Sequence, residues 1–378
     1  MIARAGDAAP SPVAGSGHPI LEWLVPLLAC PGCRAPLAFT PDGLAPDDGL
    51  LRHRGGPCSE VYPVIGSIPR LLRPPHRRGL AVAKAEWFAA SAERAALGEA
   101  WRADPEGGDA VVRAFDHEWS VFRRTDGTDV RALFASYFDL VRPDELAAAN
   151  LILDAGCGSG RWAAEVAGRG PRVIALDLGL SVEVAREAAA GSTRVGCVQG
   201  DLLDLPVAAS AVDWAYSLGV LHHLRDPERA LRAIAEAVRP GGRIIVYVYY
   251  ALDQRGPAFR LLFRAVDLVR RLTSRSPRPV VSAVSTAIAL LVYWPLARAS
   301  ALLARTGLRG LADALPLSFY RGRTLRTMRN DSLDRFGTTV ERRYTREGFR
   351  ALLGAAGLGE VTISPLAPYW HGTGTRPR

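Results

Sequence analysis

The sequence predicts an α/β protein whose mostly parallel sheet is covered by helices on both faces. Three observations predict it. From residue 151 onward, five short apolar runs alternate with helical segments, and strands joined by helices pair in parallel. The first run ends in a glycine-rich turn at 154–160, which lets backbone approach a ligand at the carboxyl end of a strand. The chain has 378 residues, 48% of them apolar, which is more than one ordinary domain needs, so additions to a core are expected.

The elements follow in order. Residues 1–18 are small, contain Pro and Gly, and lack periodicity; they are expected to be disordered and, without an apolar core, not to be a secretory signal. Residues 20–75 read as a compact unit that holds three of the five cysteines. Residues 76–145 read as a helical linker. Its Ala- and Glu-rich stretch 80–103 is expected to be one helix, and "DPEGGD" at 104–109 breaks it. Phe115, Trp119 and Phe122 then share one helix face, which either folds over the ligand site or packs in the core.

Residues 146–250 hold the strands "LILDA", "RVIALD", "RVGCV", "VDWAYS" and "RIIVYVY". Before the last of these, Asp226 caps a helix with Pro227 in its first turn. Leu231, Ile234, Ala235 and Val238 form its apolar face, and Pro240 and Gly241 stop it. Residues 251–320 form a helical insertion. Residues 321–378 return to the sheet domain: Thr345 caps a helix carrying Phe349, Leu352, Leu353 and Ala356, Gly357 ends it, and "EVTI" is a strand.

The glycine turn narrows the ligand. Gly156, Gly158 and Gly160 are spaced G-x-G-x-G, whereas a dinucleotide site prefers G-x-G-x-x-G. Asp154, just before them, would repel a pyrophosphate and suits a cation. The lack of G-K-[ST] argues against a nucleoside triphosphate. Asp177 ends the second strand, where a carboxylate accepts both ribose hydroxyls. Asp201 follows the third, where it accepts from an adenine amino group. Ribose, adenine and a cationic, amine-bearing tail together describe S-adenosyl-L-methionine.

With "LDAGCGSGRW", "VIALD" and "GDLLDLPVAASAVDWAYSLGVLHHLRDPERALRAIAEAVRPGGRIIVYVY", residues 150–250 resemble the class I S-adenosylmethionine-dependent methyltransferases of the type 11 methyltransferase-domain group. The resemblance implies a Rossmann-like, seven-stranded methyltransferase sheet with its last strand antiparallel. It places Asp154, Gly156 and Gly158 near the methionine portion, with Gly160 in the same turn. Asp177 lies near the ribose, Asp201 and Leu202 near the adenine, and Leu218 near the sulfonium. His222 and His223 are expected at the methyl-transfer end. One of them takes a proton from the acceptor, or else one orients the loop and the other faces outward. Tyr216, Tyr247 and Tyr249 are expected to pack within strands.

Cys30 and Cys33 have the C-x-x-C spacing of half a tetrahedral zinc site. With "CSEVYPVIGSIPRLL", the front end resembles small zinc-ribbon-like proteins that activate methyltransferases. Those carry a second C-x-x-C before the Tyr-Pro. Here Cys58 matches its last cysteine, but Gly55 replaces the partner. Either His53 completes a Zn2+ site with Cys30, Cys33 and Cys58, or the unit is a degenerate, metal-free ribbon.

The net charge of +9 comes from arginine, Lys84 being the one lysine. It reads as codon bias or as attraction to an anionic partner, RNA or lipid, and the scattered placement weakens the second reading. An odd cysteine count argues for reduced thiols and a cytoplasmic protein, with Cys157 and Cys197 inert in the sheet. The uncharged run 279–297 is expected to cover substrate or form a homodimer contact. A membrane span and attachment to a membrane surface are the alternatives. "RNDSLDRFGTTVERRYT" at 329–345 reads as a polar connector, either at the acceptor pocket or on the surface. The leading expectation is in-line methyl transfer to a small-molecule or lipid-like acceptor. The others are a tRNA methyltransferase with a fused activator-like unit and a non-catalytic binding platform.

Overall fold

A computed structural model describes residues 18–55, 58–105, 112–113, 115–117, 127–251, 256–338 and 340–378. The expectations for residues 1–17, Trp119 and Phe122 lie outside the described residues.

After a short helix α1 (Pro19–Leu24) come four strands: β1 (Leu37–Pro41), β2 (Gly49–His53), β3 (Tyr62–Ile65) and β4 (Ile68–Leu71). They pair antiparallel in sequence. The linker follows as α2 (Arg77–Ala83), α3 (Ala85–Ala89), α4 (Ala92–Arg102), α5 (Gly127–Tyr137) and α6 (Pro143–Ala148). The single helix expected over 80–103 is thus three. Lys84 leaves helical geometry, and Ser91 starts a new helix by accepting from the Arg94 N–H at 3.2 Å.

The sheet domain runs β5 (Leu151–Ala155), α7 (Arg161–Ala167), β6 (Arg172–Asp177), α8 (Ser181–Ala188), β7 (Val195–Gly200), β8 (Val212–Leu218), α9 (Pro227–Ala237) and β9 (Val238–Tyr247). Asp226 caps α9 as expected, accepting from the Arg229 N–H at 2.9 Å. The helix stops at Ala237, and Val238 already belongs to β9. The insertion contains α10 (Pro257–Thr273), α11 (Arg278–Ile288), α12 (Trp294–Arg305) and α13 (Arg309–Ala314). A π-helical turn at Ala289–Tyr293 joins α11 to α12 just ahead of Pro295, whose missing N–H cannot sustain the ordinary ladder. Then come α14 (Leu325–Gly337), α15 (Arg346–Ala355), β10 (Gly359–Ile363) and β11 (His371–Thr375). Thr345 caps α15 through the Gly348 N–H at 3.0 Å. The first half of the expected polar connector at 329–345 is instead helical, through Gly337. Thr324 caps its helix, and Met328, Ser332 and Leu333 are buried.

The strand order is β1-β2-β3-β4-β7-β6-β5-β8-β9-β11-β10. The seven strands from β7 onward are the expected methyltransferase-type sheet, with β11 antiparallel to both β9 and β10. The N-terminal unit extends this sheet rather than standing apart from it. β4 pairs in parallel with β7, Arg70 opposite Gln199 and Leu71 opposite Gly200. An uncovered edge strand would present unpaired backbone, and β4 covers β7. Strand order reverses between β5 and β8, which opens a crevice at their carboxyl ends.

Candidate active site

The crevice holds a cavity of about 470 Å³, within the size range of small-molecule and cofactor sites. The turn after β5 forms one wall. Gly156 has φ +89°, and a Cβ there would meet the Val220 side chain at 2.4 Å, so only glycine fits between turn and loop. The Gly156 and Cys157 N–H groups both donate to the Leu176 carbonyl, at 2.8 and 2.9 Å, which ties the turn to β6.

Asp177, at the end of β6, lines the cavity. Its Oδ2 accepts from the Gly158 N–H at 2.8 Å and its Oδ1 from the Gly179 N–H at 3.0 Å. Burial raises its pKa, and these donors oppose the shift. Asp201 follows β7 and also lines the cavity, with Leu202 and Leu203 beside it. It caps a short 3₁₀ turn through the Leu203 N–H at 2.9 Å. Burial raises its pKa, opposed by the Leu203 N–H and by His76.

Leu218, Gly156 and Gly158 reach the cavity wall, whereas Gly160 and Asp154 do not. Asp154 lies beneath the turn, 1% exposed, and its Oδ2 has no hydrogen-bond partner among the described residues. Burial pushes its carboxyl up to about 8, with the nearby Asp177 charge adding and Tyr216 and Arg161 opposing. The expectation turns it toward a cationic ligand; in the structure it is a buried acid under the turn, outside the cavity lining.

The two histidines divide sharply. His222 is fully buried outside the cavity lining, both ring nitrogens lack partners among the described residues, and its ring centroid lies 3.9 Å from that of Tyr249. Burial, then the charges of His223 and Arg343, hold its pKa well below the ordinary histidine value. His223 lines the cavity. Its Nδ1 lies 2.7 Å from the Val340 carbonyl, which only accepts, so Nδ1 is the donor there and, in the neutral ring, Nε2 carries the lone pair. Nε2 makes no hydrogen bond among the described residues and lies 3.8 Å from Asp334 Oδ1. Asp334, on α14, also accepts from the Tyr249 hydroxyl. Phe115 lines the cavity, its ring centroid 5.1 Å from that of His223.

The contributors that escaped sequence reasoning include three from distant segments. Pro75 and His76, just past β4, line the cavity, and His76 Nε2 lies 3.8 Å from Asp201 Oδ2. Asp334 is the third. No local pattern marks any of them; they arrive by the docking of distant segments.

Residues 153–246 match the family model of the methyltransferase domain. That stretch is a methyltransferase domain by this match. It is 30% identical over 141 residues to the demethylmenaquinone methyltransferase of Clavibacter sepedonicus, covering 37% of this chain and 56% of that protein. It is 34% identical over 129 residues to a Mus musculus protein named "Probable tRNA methyltransferase 9B", covering 33% of this chain and 27% of that one. The first relatives are matched over well under two thirds of their own length, between 25% and 45%. A solved S-adenosylmethionine-dependent methyltransferase, SibL in its apo form, aligns with a TM-score of 0.40 at 19% identity, covering 67% of this chain and 57% of that one.

Ahead of the methyltransferase domain, the cysteine-bearing unit brings Cys30, Cys33, His53 and Cys58 together. Their donor atoms all lie within 4.8 Å of one another. Cys33 Sγ is 3.4 Å from His53 Nε2, and the Gly32 N–H donates to Cys30 Sγ at 3.3 Å. Burial raises the Cys30 pKa, but hydrogen bonds from Tyr62, the Cys33 and Gly32 backbone and His53 outweigh it and bring the thiol down to about 6. Three soft sulfurs and an imidazole at this separation are a donor set that fits tetrahedral zinc. These four residues would hold it as a structural clamp. His53, at the end of β2, is the fourth donor residue of the group, where Gly55 supplies no side chain.

Proposed function

We propose that this chain transfers a methyl group from S-adenosylmethionine to a small-molecule or lipid-like acceptor. The observation that carries the proposal is the crevice itself. It combines a glycine wall, two carboxylates and, in the same lining, an imidazole whose buried Nε2 has no hydrogen-bond partner among the described residues. S-adenosylmethionine supplies an electrophilic methyl carbon on a sulfonium leaving group. Asp177 accepts from the ribose hydroxyls and Asp201 from the adenine amine, while Leu202 and Leu203 exclude water. His223 takes the proton of an alcohol or phenol acceptor at Nε2. The Val340 carbonyl holds the required tautomer, and Asp334 stabilises the imidazolium that forms. The thiol-rich zinc unit suits a reducing compartment, the cytoplasm.

The test has two readouts. Calorimetry should show S-adenosylhomocysteine binding, weakened about 10- to 100-fold by Asp177→Ala, the worth of hydrogen bonds to a charged group. Undiminished affinity refutes the ribose role. Labelled methyl groups offered to cell extract should enter the lipid or small-molecule fraction, and His223→Asn should slow this about 10²- to 10⁴-fold with S-adenosylhomocysteine affinity unchanged. Label confined to RNA would instead support the tRNA reading, which the similarity to the murine protein favours. Binding without any transfer would leave the non-catalytic platform.

A further inference from the structure

The helical insertion exposes what the rest of the molecule hides. Among the described residues, 13 of the 16 exposed large apolar side chains lie between Leu261 and Phe319. Thirteen arginines against two aspartates fall between residues 256 and 329, so this segment carries +11 while the remainder of the chain carries −2. The two acids are already engaged within the chain: Asp267 pairs with Arg270 and Arg271, and Asp313 with Arg321.

From α11 through α12, a stretch long and apolar enough to cross a membrane, two opposite faces are visible. Val281, Ser285, Ala289, Tyr293 and Ala297 are buried at four-residue intervals, in part against Met328 and Leu333 of α14. Val280, Leu291, Trp294 and Leu302 are exposed on the other side, Leu291 by 76%, and Arg298 and Arg305 finish the same stripe. On α10, Leu261, Leu268 and Leu272 are exposed beside Arg264 and Arg275.

We propose that this insertion is a docking surface for an anionic lipid bilayer, lying in the headgroup region with its apolar side chains inserted. An apolar stripe ending in arginines is the composition that partitions there, the guanidinium groups meeting lipid phosphates. A second copy is the weaker occupant, because it would bring the same excess of positive charge and no free acids to meet it. A nucleic acid would leave the leucines and Trp294 in water. The packing argues against spanning. The buried face rests on α14, whose Ser332 hydroxyl donates to the Ser285 carbonyl at 2.8 Å and whose Asp334 reaches His223. A span would carry those polar groups into hydrocarbon. The inference is independent of the chemistry proposed above.

The experiment is co-sedimentation of the full chain with vesicles of phosphatidylcholine, with and without phosphatidylglycerol. Binding should require phosphatidylglycerol and weaken with salt. Arg264→Gln and Arg275→Gln should each weaken it about fivefold. The double variant Leu291→Ser/Trp294→Ser should stay in the supernatant at an unchanged melting temperature. Three outcomes overturn the proposal: no binding by folded protein, binding that this double variant retains, or a dimer in solution that it dissociates.

Discussion

Asp154 and Asp177 show how the same residue type takes opposite roles 23 positions apart. Asp177 stands at a strand end, accepts two backbone N–H groups and faces the cavity. Asp154 stands one residue before the end of β5, so strand alternation turns it beneath the glycine turn. Because its folded pKa, about 8, lies above the unfolded carboxylate value, its contribution to stability is complete below that unfolded value and is lost as pH rises through about 8. Asp154→Asn should therefore gain on the native chain as pH climbs from 5 to 8, by up to about 1.4 kcal/mol per pH unit. Denaturant curves at several pH values check this, and parallel curves would dismiss the buried neutral acid. The histidines carry the same lesson. Adjacent in sequence, they are equivalent candidates; in the structure only His223 lines the cavity, with its Nδ1 against the Val340 carbonyl.

At the scale of elements, caps were the most legible feature. Asp226 and Thr345 are where side-chain chemistry requires helices to begin. What composition hid was the break at Ser91 and the helix α14, whose polar sequence conceals a buried face. The cysteine unit was half legible. Its C-x-x-C was plain, but His53 as the fourth donor depended on β2 pairing with β1 and β3. Metal analysis of protein purified without chelator should find about one zinc per chain, and stripping it should lower the melting temperature by several degrees. Less than about a tenth of a zinc per chain, with stability unaffected by chelator, would leave the degenerate ribbon.

Across the whole molecule, the decisive feature is that the front unit and the methyltransferase domain share one sheet and one apolar core. Arg70 on β4 is 1% exposed and donates to Gln199 at 3.0 Å and to Glu183 at 2.8 Å. Arg70→Met should cost about 2–3 kcal/mol. That is less than breaking a fully buried pair, since Glu183 is partly exposed and keeps Lys84 at 2.8 Å. Unfolding followed by probes in the two parts should remain one transition, and two separate transitions would undo the shared-core picture. The sequence by itself determined the alternation of strands and helices, the glycine turn, the strand-end acids and the cysteine pair. Each of these is set by neighbours a few residues away. Only the tertiary structure decided that β4 closes the β7 edge, that His76 enters the cavity, and that Asp334 comes beside His223. These depend on side chains brought together across more than a hundred residues, where local propensity carries no information.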